Sequence, residues 1–342
     1  MRDYCYYLFS LLLFLPVLSE AQDITLARFP AISPDGSHIA FCYQGDIWVQ
    51  DLQADFPRRL TIHEAYESNP TFSPDGQLIA FTSNRFGNKD VFTTSISGGV
   101  PKRITYHSTS DELSDWTTDN KLLFGTRRAY AQVEWDGEIY SAPVAGGTPQ
   151  RVLGAVGEMA TTSADGRYVA FVRGACRASR ESYQGPADLE VWLYDVKKET
   201  YTAVTDNESN DLMPHWGEAG ELFFLSSING RYNIVKVDAT DESFQRSVIT
   251  TYQQDGIRHF DVAGDQLVYE RGTGIYLKKG ATEAQKLNLN IHPDYRFDPT
   301  ETKTFTSNIE EYELSLNGKY AATVIRGEGV CAGIRYGGKA HG

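Results

Sequence analysis

His63, Glu64 and Glu67 spell His-Glu-x-x-Glu, one residue away from the His-Glu-x-x-His signature by which hydrolytic zinc sites present two imidazoles and a general base. That chemistry needs both imidazoles one turn apart on a helix. Here a carboxylate stands in the second position, and the stretch runs between two predicted strands into Pro70, so it reads as a polar connector. Gly333 to Lys339 reproduces the glycine and lysine spacing of a phosphate-binding loop, but Ala340 replaces the hydroxyl that would hold magnesium. No Gly-x-Ser-x-Gly elbow seats a nucleophilic serine. The sequence therefore assigns no catalytic residue, no metal ligand and no cofactor.

The remaining candidates bind rather than react. Arg127 and Arg128 are adjacent cations in an acidic chain, able to clamp a peptide carboxylate through charge-assisted hydrogen bonds or simply to solvate a loop. Connectors supply the rest. Residues 63–69 offer His63, Glu64, Tyr66, Glu67 and Asn69; residues 106–114 offer Tyr106, His107, Asp111 and Glu112; residues 206–211 offer Asn210 and Asp211; residues 252–259 offer Arg258 and His259. Acidic, aromatic and amide-bearing loops of this kind favour cationic or amide-rich chains, or else keep one face soluble. Loops held on a rigid scaffold are where binding residues collect.

The scaffold is a repeat. Ser33-Pro34-Asp35-Gly36 precedes His38-Ile39-Ala40-Phe41, and Ser73-Pro74-Asp75-Gly76 precedes Leu78-Ile79-Ala80-Phe81. Weaker copies centre on Asp119, Asp165, Ala219, Ala263 and Asn317, at a mean interval of about 47 residues. In each unit a strand enters a turn, where proline presets φ and glycine accepts its positive value. Two more strands follow, then a Gly-rich turn and a fourth strand ending in Arg59-Leu60-Thr61, Arg103-Ile104-Thr105 or Arg151-Val152-Leu153. Four strands per 40–50 residues is the arithmetic of a propeller blade. Six complete units and the start of a seventh predict an all-β, six-bladed propeller of four-stranded antiparallel blades, plus the first strands of a second propeller. A β-sandwich explains short strands but not seven copies of one grammar, and no amphipathic helix of four turns supports a mixed α/β fold.

The Ser-Pro-Asp-Gly blades resemble TolB-like, WD40-like repeats. More closely, residues 24–328 resemble the N-terminal part of tricorn-type proteases, of serine peptidase family S41 type, especially their exported bacterial homologues. The resemblance rests on the segments 60–70, 81–91, 98–108 and 317–328. It implies a first six-bladed propeller, then a seven-bladed one, a PDZ-like module and a serine peptidase domain whose catalytic groups lie far downstream. On that reading the chain is non-catalytic and gates or guides peptides through its central channel. Its partners are then peptides or protein segments and the downstream peptidase domains, with room for a homo-oligomer. The alternative is a periplasmic TolB-like protein-interaction propeller, although that type carries an α/β domain before its blades. A propeller of the prolyl-oligopeptidase kind would need an α/β-hydrolase domain.

Composition sets the outer limits. Lys and Arg number 32 against 45 Asp and Glu, and the resulting charge of −13 repels nucleic acid and anionic lipid. Residues 1–21 carry an apolar run from Leu8 to Leu18, with Ser19 and Ala21 at signal-peptidase spacing, which predicts cleavage after Ala21 and a periplasmic or secreted product. Eleven apolar residues interrupted by Pro16 are too few to cross a bilayer, so no membrane span is expected after cleavage. Cys42, Cys176 and Cys331 then remain and define no disulfide framework. The expected layout is a signal peptide over 1–21, a propeller over 22–300, a second propeller's start over 301–328 and a disordered tail over 329–342. The Gly-rich change of pattern after Glu328 reads as the mark of a truncated or frame-shifted product, with an exposed half-blade prone to self-association.

Overall fold

The structure is a computed structural model that describes residues 22–23, 26–129, 137–206, 209–291, 309–325 and 328–333. The predicted signal peptide lies outside the described residues. Contacts divide the chain into two compact units, Met1–His292 and Pro293–Gly342.

The first unit holds six four-stranded antiparallel sheets, each built from four consecutive strands. Their first strands are Arg28–Ile32, Glu67–Phe72, Asp111–Trp116, Glu158–Thr162, Asp211–Trp216 and Ile257–Ala263. Each touches the first strands of both neighbouring sheets, and the sixth returns to the first. This is a closed six-bladed propeller with the first strands around the axis. Among the described residues no blade borrows a strand from the other end of the ring. Closure comes from Ile39 and Phe41 of blade 1 packing with Val268 and Ile275 of blade 6, reinforced by Gln22–Asp23 pairing with Asn290–Ile291.

Six apolar clusters fill the seams between adjacent blades, and the one between blades 5 and 6 also takes in Val172 and Leu189 of blade 4. Burial on both faces explains why the second strands read as unbroken apolar runs such as Ile39-Ala40-Phe41, Ile79-Ala80-Phe81 and Leu122-Leu123-Phe124, whose members are all fully buried. The turns before them are held by their own side chains. Ser33 Oγ donates to Asp35 Oδ1 at 2.6 Å and accepts from the His38 amide at 2.9 Å, while Gly36 takes φ +69°. Ser73–Asp75 and Ser163–Asp165 repeat this at the same distances, and Thr117–Asp119 is a variant. These bonds hold Asp35 down at about 2, chiefly through the Ser33 hydroxyl.

The second unit is a three-stranded antiparallel sheet of Ile309–Leu314, Tyr320–Ile325 and Glu328–Gly333. Its first turn repeats the blade pattern, with Ser315 Oγ donating to Asn317 Oδ1 at 2.8 Å. The third strand takes in residues 329–333, the start of the stretch expected from the sequence to be a disordered tail. Cross-strand pairing of Tyr320 with Gly333 and of Ile325 with Glu328 overrides the low strand preference of the glycines. Residues 334–342, including most of the phosphate-loop lookalike, lie outside the described residues. Among the described residues no helix is long and apolar enough to cross a membrane.

Candidate binding channel

A cavity of about 590 Å³ lies on the propeller axis, lined by the first strands of all six blades. All six of these strands are irregular where they meet the axis. Each breaks register with its neighbour, between Arg28 and Ala31, Ser68 and Thr71, Leu113 and Asp115, Glu158 and Thr161, Leu212 and His215, and Ile257 and His259. Such bulges re-aim side chains. In four blades the bulge holds a non-glycine residue at positive φ: Phe29 at 53°, Asn69 at 51°, Met159 at 54° and Met213 at 54°. That conformation costs about 1–3 kcal/mol per residue and persists where the surroundings impose it.

Aligning the blades on their turns places two hoops around the channel. The first, four residues before each turn, is Phe29, Asn69, Leu113, Met159, Met213 and His259, and all six line the cavity. It is mainly apolar. The second, two residues nearer the turn, is Ala31, Thr71, Asp115, Thr161, His215 and Asp261, of which Ala31, Thr71, His215 and Asp261 line the cavity. It is polar, and its members tie blades together. Thr161 Oγ1 donates to Asp115 Oδ2 across blades 4 and 3, and the Ile32 amide donates to Asp261 Oδ2 at 2.9 Å across blades 1 and 6. His215 Nδ1 lies 3.4 Å from Asp261 Oδ1.

Burial dominates the electrostatics here. It pushes Asp115 up to about 6, against the Thr161 hydroxyl and Trp116 amide that favour the anion. It pushes Asp261 up to about 7, against the Ile32 and Val262 amides, and the Asp115 charge adds to the rise. It pushes His215 down to about 3 and His259 to about 4. The Asp261 and His215 side chains keep 18% and 20% of their surface open, so both still meet the channel's interior.

Of the residues singled out in the sequence, Asn69, Glu112, Arg127 and His259 line the cavity. The others do not. Glu67, Asp111 and Asp211 are fully buried and clasped by arginines: Arg85 Nε reaches Glu67 at 2.8 Å, Arg128 Nε reaches Asp111 at 3.0 Å and Arg246 reaches Asp211 at 2.9 Å. This separates the arginine pair: Arg128 is spent on Asp111 and stacks over Phe124, whereas Arg127 is exposed at the cavity wall. Asn210 is buried too, accepting from the Leu189 amide and donating to the Arg180 carbonyl. His63 and Glu64 are exposed in the connector, and the His63 ring nitrogen accepts the Ala65 amide at 2.9 Å. His107 likewise accepts the Thr109 amide within its own loop. Tyr66, Tyr106 and Arg258 are exposed away from the cavity lining. Among the described residues no group of three or more His, Cys, Asp or Glu side chains is placed to share a metal ion.

Sequence reasoning placed the site in the connectors and missed both hoops apart from Asn69 and His259. One signal for them exists. Pro30, Pro70 and Pro214 each stand three residues before a turn, and a proline inside a predicted strand marks a bulge or an edge, since it has no N–H to donate.

Comparison with known proteins gives the same architecture. The profile of the tricorn protease N-terminal beta propeller domain matches residues 24–284. A tricorn protease homolog of Saccharolobus solfataricus is 23% identical over 303 residues, covering 86% of this chain and 27% of that protein. Tricorn protease homolog 1 of Streptomyces coelicolor is 25% identical over 273 residues, covering 77% of this chain and 24% of its own length. The chain thus spans about a quarter of these relatives. The crystal structure of the tricorn protease superposes with a TM-score of 0.69 at 19% identity, over 90% of this chain and 30% of that one. A putative TolB from Agrobacterium tumefaciens superposes at 0.54 with 21% identity, over 66% of this chain and 81% of that one. Profile, register and ring closure converge: the chain belongs to the tricorn protease N-terminal β-propeller domain family.

Proposed function

We propose that this chain is the first propeller of an exported tricorn-like serine peptidase of family S41 type, and that it guides peptides through its axis to or from a downstream peptidase domain. The observation that carries this reading is the axial cavity of about 590 Å³, with a mainly apolar hoop, a polar hoop and the exposed Arg127 on its wall. Volumes of this order enclose a small ligand. The apolar hoop suits side chains of varied identity, and Arg127 suits a terminal carboxylate. Arg128 holds Asp111 and plays no part in capture.

The test is calorimetry with short peptides carrying a free or an amidated C-terminus. Arg127→Glu weakens the free-carboxylate peptide by about tenfold and leaves the amidated one unchanged. Equal affinities for all combinations remove Arg127 from the reading, and absence of binding by any peptide removes the reading itself. A second reading, a periplasmic TolB-like interaction module, draws on an exposed stack at blade 2. There Arg103 lies 4.3 Å from the Phe86 ring and 4.7 Å from the Tyr106 ring, which are 61% and 70% exposed. Protein binding that is lost in Tyr106→Ala and kept in Arg127→Glu favours that module.

A further inference from the structure

The polar hoop holds two carboxyl groups and no guanidinium or ammonium among the described residues. Asp115 comes from blade 3 and Asp261 from blade 6, which are opposite members of a six-bladed ring. Each already accepts protein donors: Asp115 from Thr161 and the Trp116 amide, Asp261 from the Ile32 and Val262 amides. A carboxylate has about four lone-pair sites, so both retain capacity: Asp261 on the cavity lining, and Asp115 beside that lining, near enough for its charge to act on Asp261. We propose that the polar hoop binds a primary ammonium group on the axis between Asp115 and Asp261, with a peptide's amino terminus as the occupant. This inference rests on the peptide-channel reading and deepens it.

The surrounding groups agree with a cation there. His215 from blade 5 and His259 from blade 6 are kept neutral by burial, so they present no competing positive charge. The Arg28 guanidinium behind blade 1 is neutralised by Glu270 at 2.7 Å. Glu112 and Glu158 join Arg127 on the cavity lining. An ammonium entering past Phe29, Leu113, Met159 and Met213 exchanges its water for carboxylate oxygens, while the first peptide side chain meets the apolar hoop. Around pH 6, where burial keeps part of both carboxyls protonated while a peptide amine is fully charged, a cation between them draws them to ionise, so binding there releases protons to solvent.

The probe is an amidated pentapeptide of alanine, leucine and methionine, with a free or an acetylated amino terminus, titrated into the whole chain at pH 7.5. The free amine binds at least about tenfold more tightly, as a charge-assisted contact requires. At pH 6.0, where the amine is fully protonated, its binding enthalpy differs between phosphate and Bis-Tris buffers, which registers the protons released by the carboxyls. The advantage grows from pH 5.5 to 7.5. Asp115→Asn and Asp261→Asn each shrink it, and the double variant erases the difference between the two peptides. Restoration by a lysine at the first position of the acetylated peptide shows that a side-chain ammonium is taken as well; failure to restore confines the site to the terminus. Equal binding of the free and acetylated peptides overturns this inference alone, and the wild-type comparison decides that whether or not the variants fold. Binding of neither peptide overturns the channel reading with it.

Discussion

Two sets of acids in this propeller differ in what surrounds them. Glu67, Asp111 and Asp211 open the first strands of blades 2, 3 and 5, and each meets an arginine. Asp46 and Asp90 open third strands and meet Arg59 and Arg103. Beside them Thr61 and Thr105 accept the Ile47 and Val91 amides, which is why Arg-Leu-Thr and Arg-Ile-Thr recur at the ends of fourth strands. Asp115 and Asp261, each four residues into a first strand, meet only hydroxyl, amide and neutral imidazole groups among the described residues. An acid with a cation beside it is completed by the protein. An acid without one leaves a charge for something else to complete, and the positive-φ bulges next to these hoops place the departure from local rules in the same spot. Such departures concentrate where a molecule binds.

The comparison breaks first at the clasps. Glu67→Ala leaves the Arg85 guanidinium, whose side chain is 13% exposed, without its partner, and a loss of about 3–5 kcal/mol is expected in urea denaturation. Replacing both partners with leucine and methionine recovers most of it, because a well-packed apolar pair avoids the desolvation of two charges. A loss under about 1 kcal/mol in Glu67→Ala would show that the clasp is ornamental and the division false.

The opposite behaviour is expected of the hoop. Asp115 rises from 3.8 to about 6 on burial, so the folded protein holds this proton more tightly than the unfolded chain. Its contribution to stability is complete below about pH 4 and is lost as the pH rises through about 6. Asp115→Asn removes that slope. The variant matches wild type at pH 4 and is more stable by about 2–3 kcal/mol at pH 8, measured by denaturation across the pH range. A variant less stable than wild type at both pH values would make Asp115 a structural tie and not a waiting site.

What the sequence disclosed follows the range of the forces involved. Ser33 and Asp35 bond within five residues, so their turn can be read from a short window. The second strands are apolar along their whole length because blades cover both faces, and that too is a local pattern. The clasps are less legible. Asp111 and Asp211 sit before strands and look like surface connectors, since their arginines stand 17 and 35 residues away. The hoops are least legible of all. Ala31, Thr71, Asp115, Thr161, His215 and Asp261 share a blade position but no chemical type, and only closure of the ring brings them to one axis. The strand Glu328–Gly333 was hidden for a related reason: pairing with Tyr320–Ile325, not composition, makes it extended.

The smallest effect probes the bulge itself. Asn69 lines the cavity at φ 51°, a left-handed conformation that glycine accepts freely, asparagine tolerates and alanine resists. Asn69→Ala is therefore expected to cost about 0.5–1 kcal/mol, whereas Asn69→Gly stays within about 0.5 kcal/mol of wild type, its relaxed φ offsetting the extra freedom of the unfolded chain. Thermal denaturation of the two variants separates backbone from side chain. If alanine and glycine are equal, the backbone at 69 relaxes without penalty, the hoop is not held by strain, and the contrast between finished clasps and poised channel rests on charge alone. If they differ as expected, the same bulge geometry that places Phe29, Met159 and Met213 on the cavity lining is imposed by the ring.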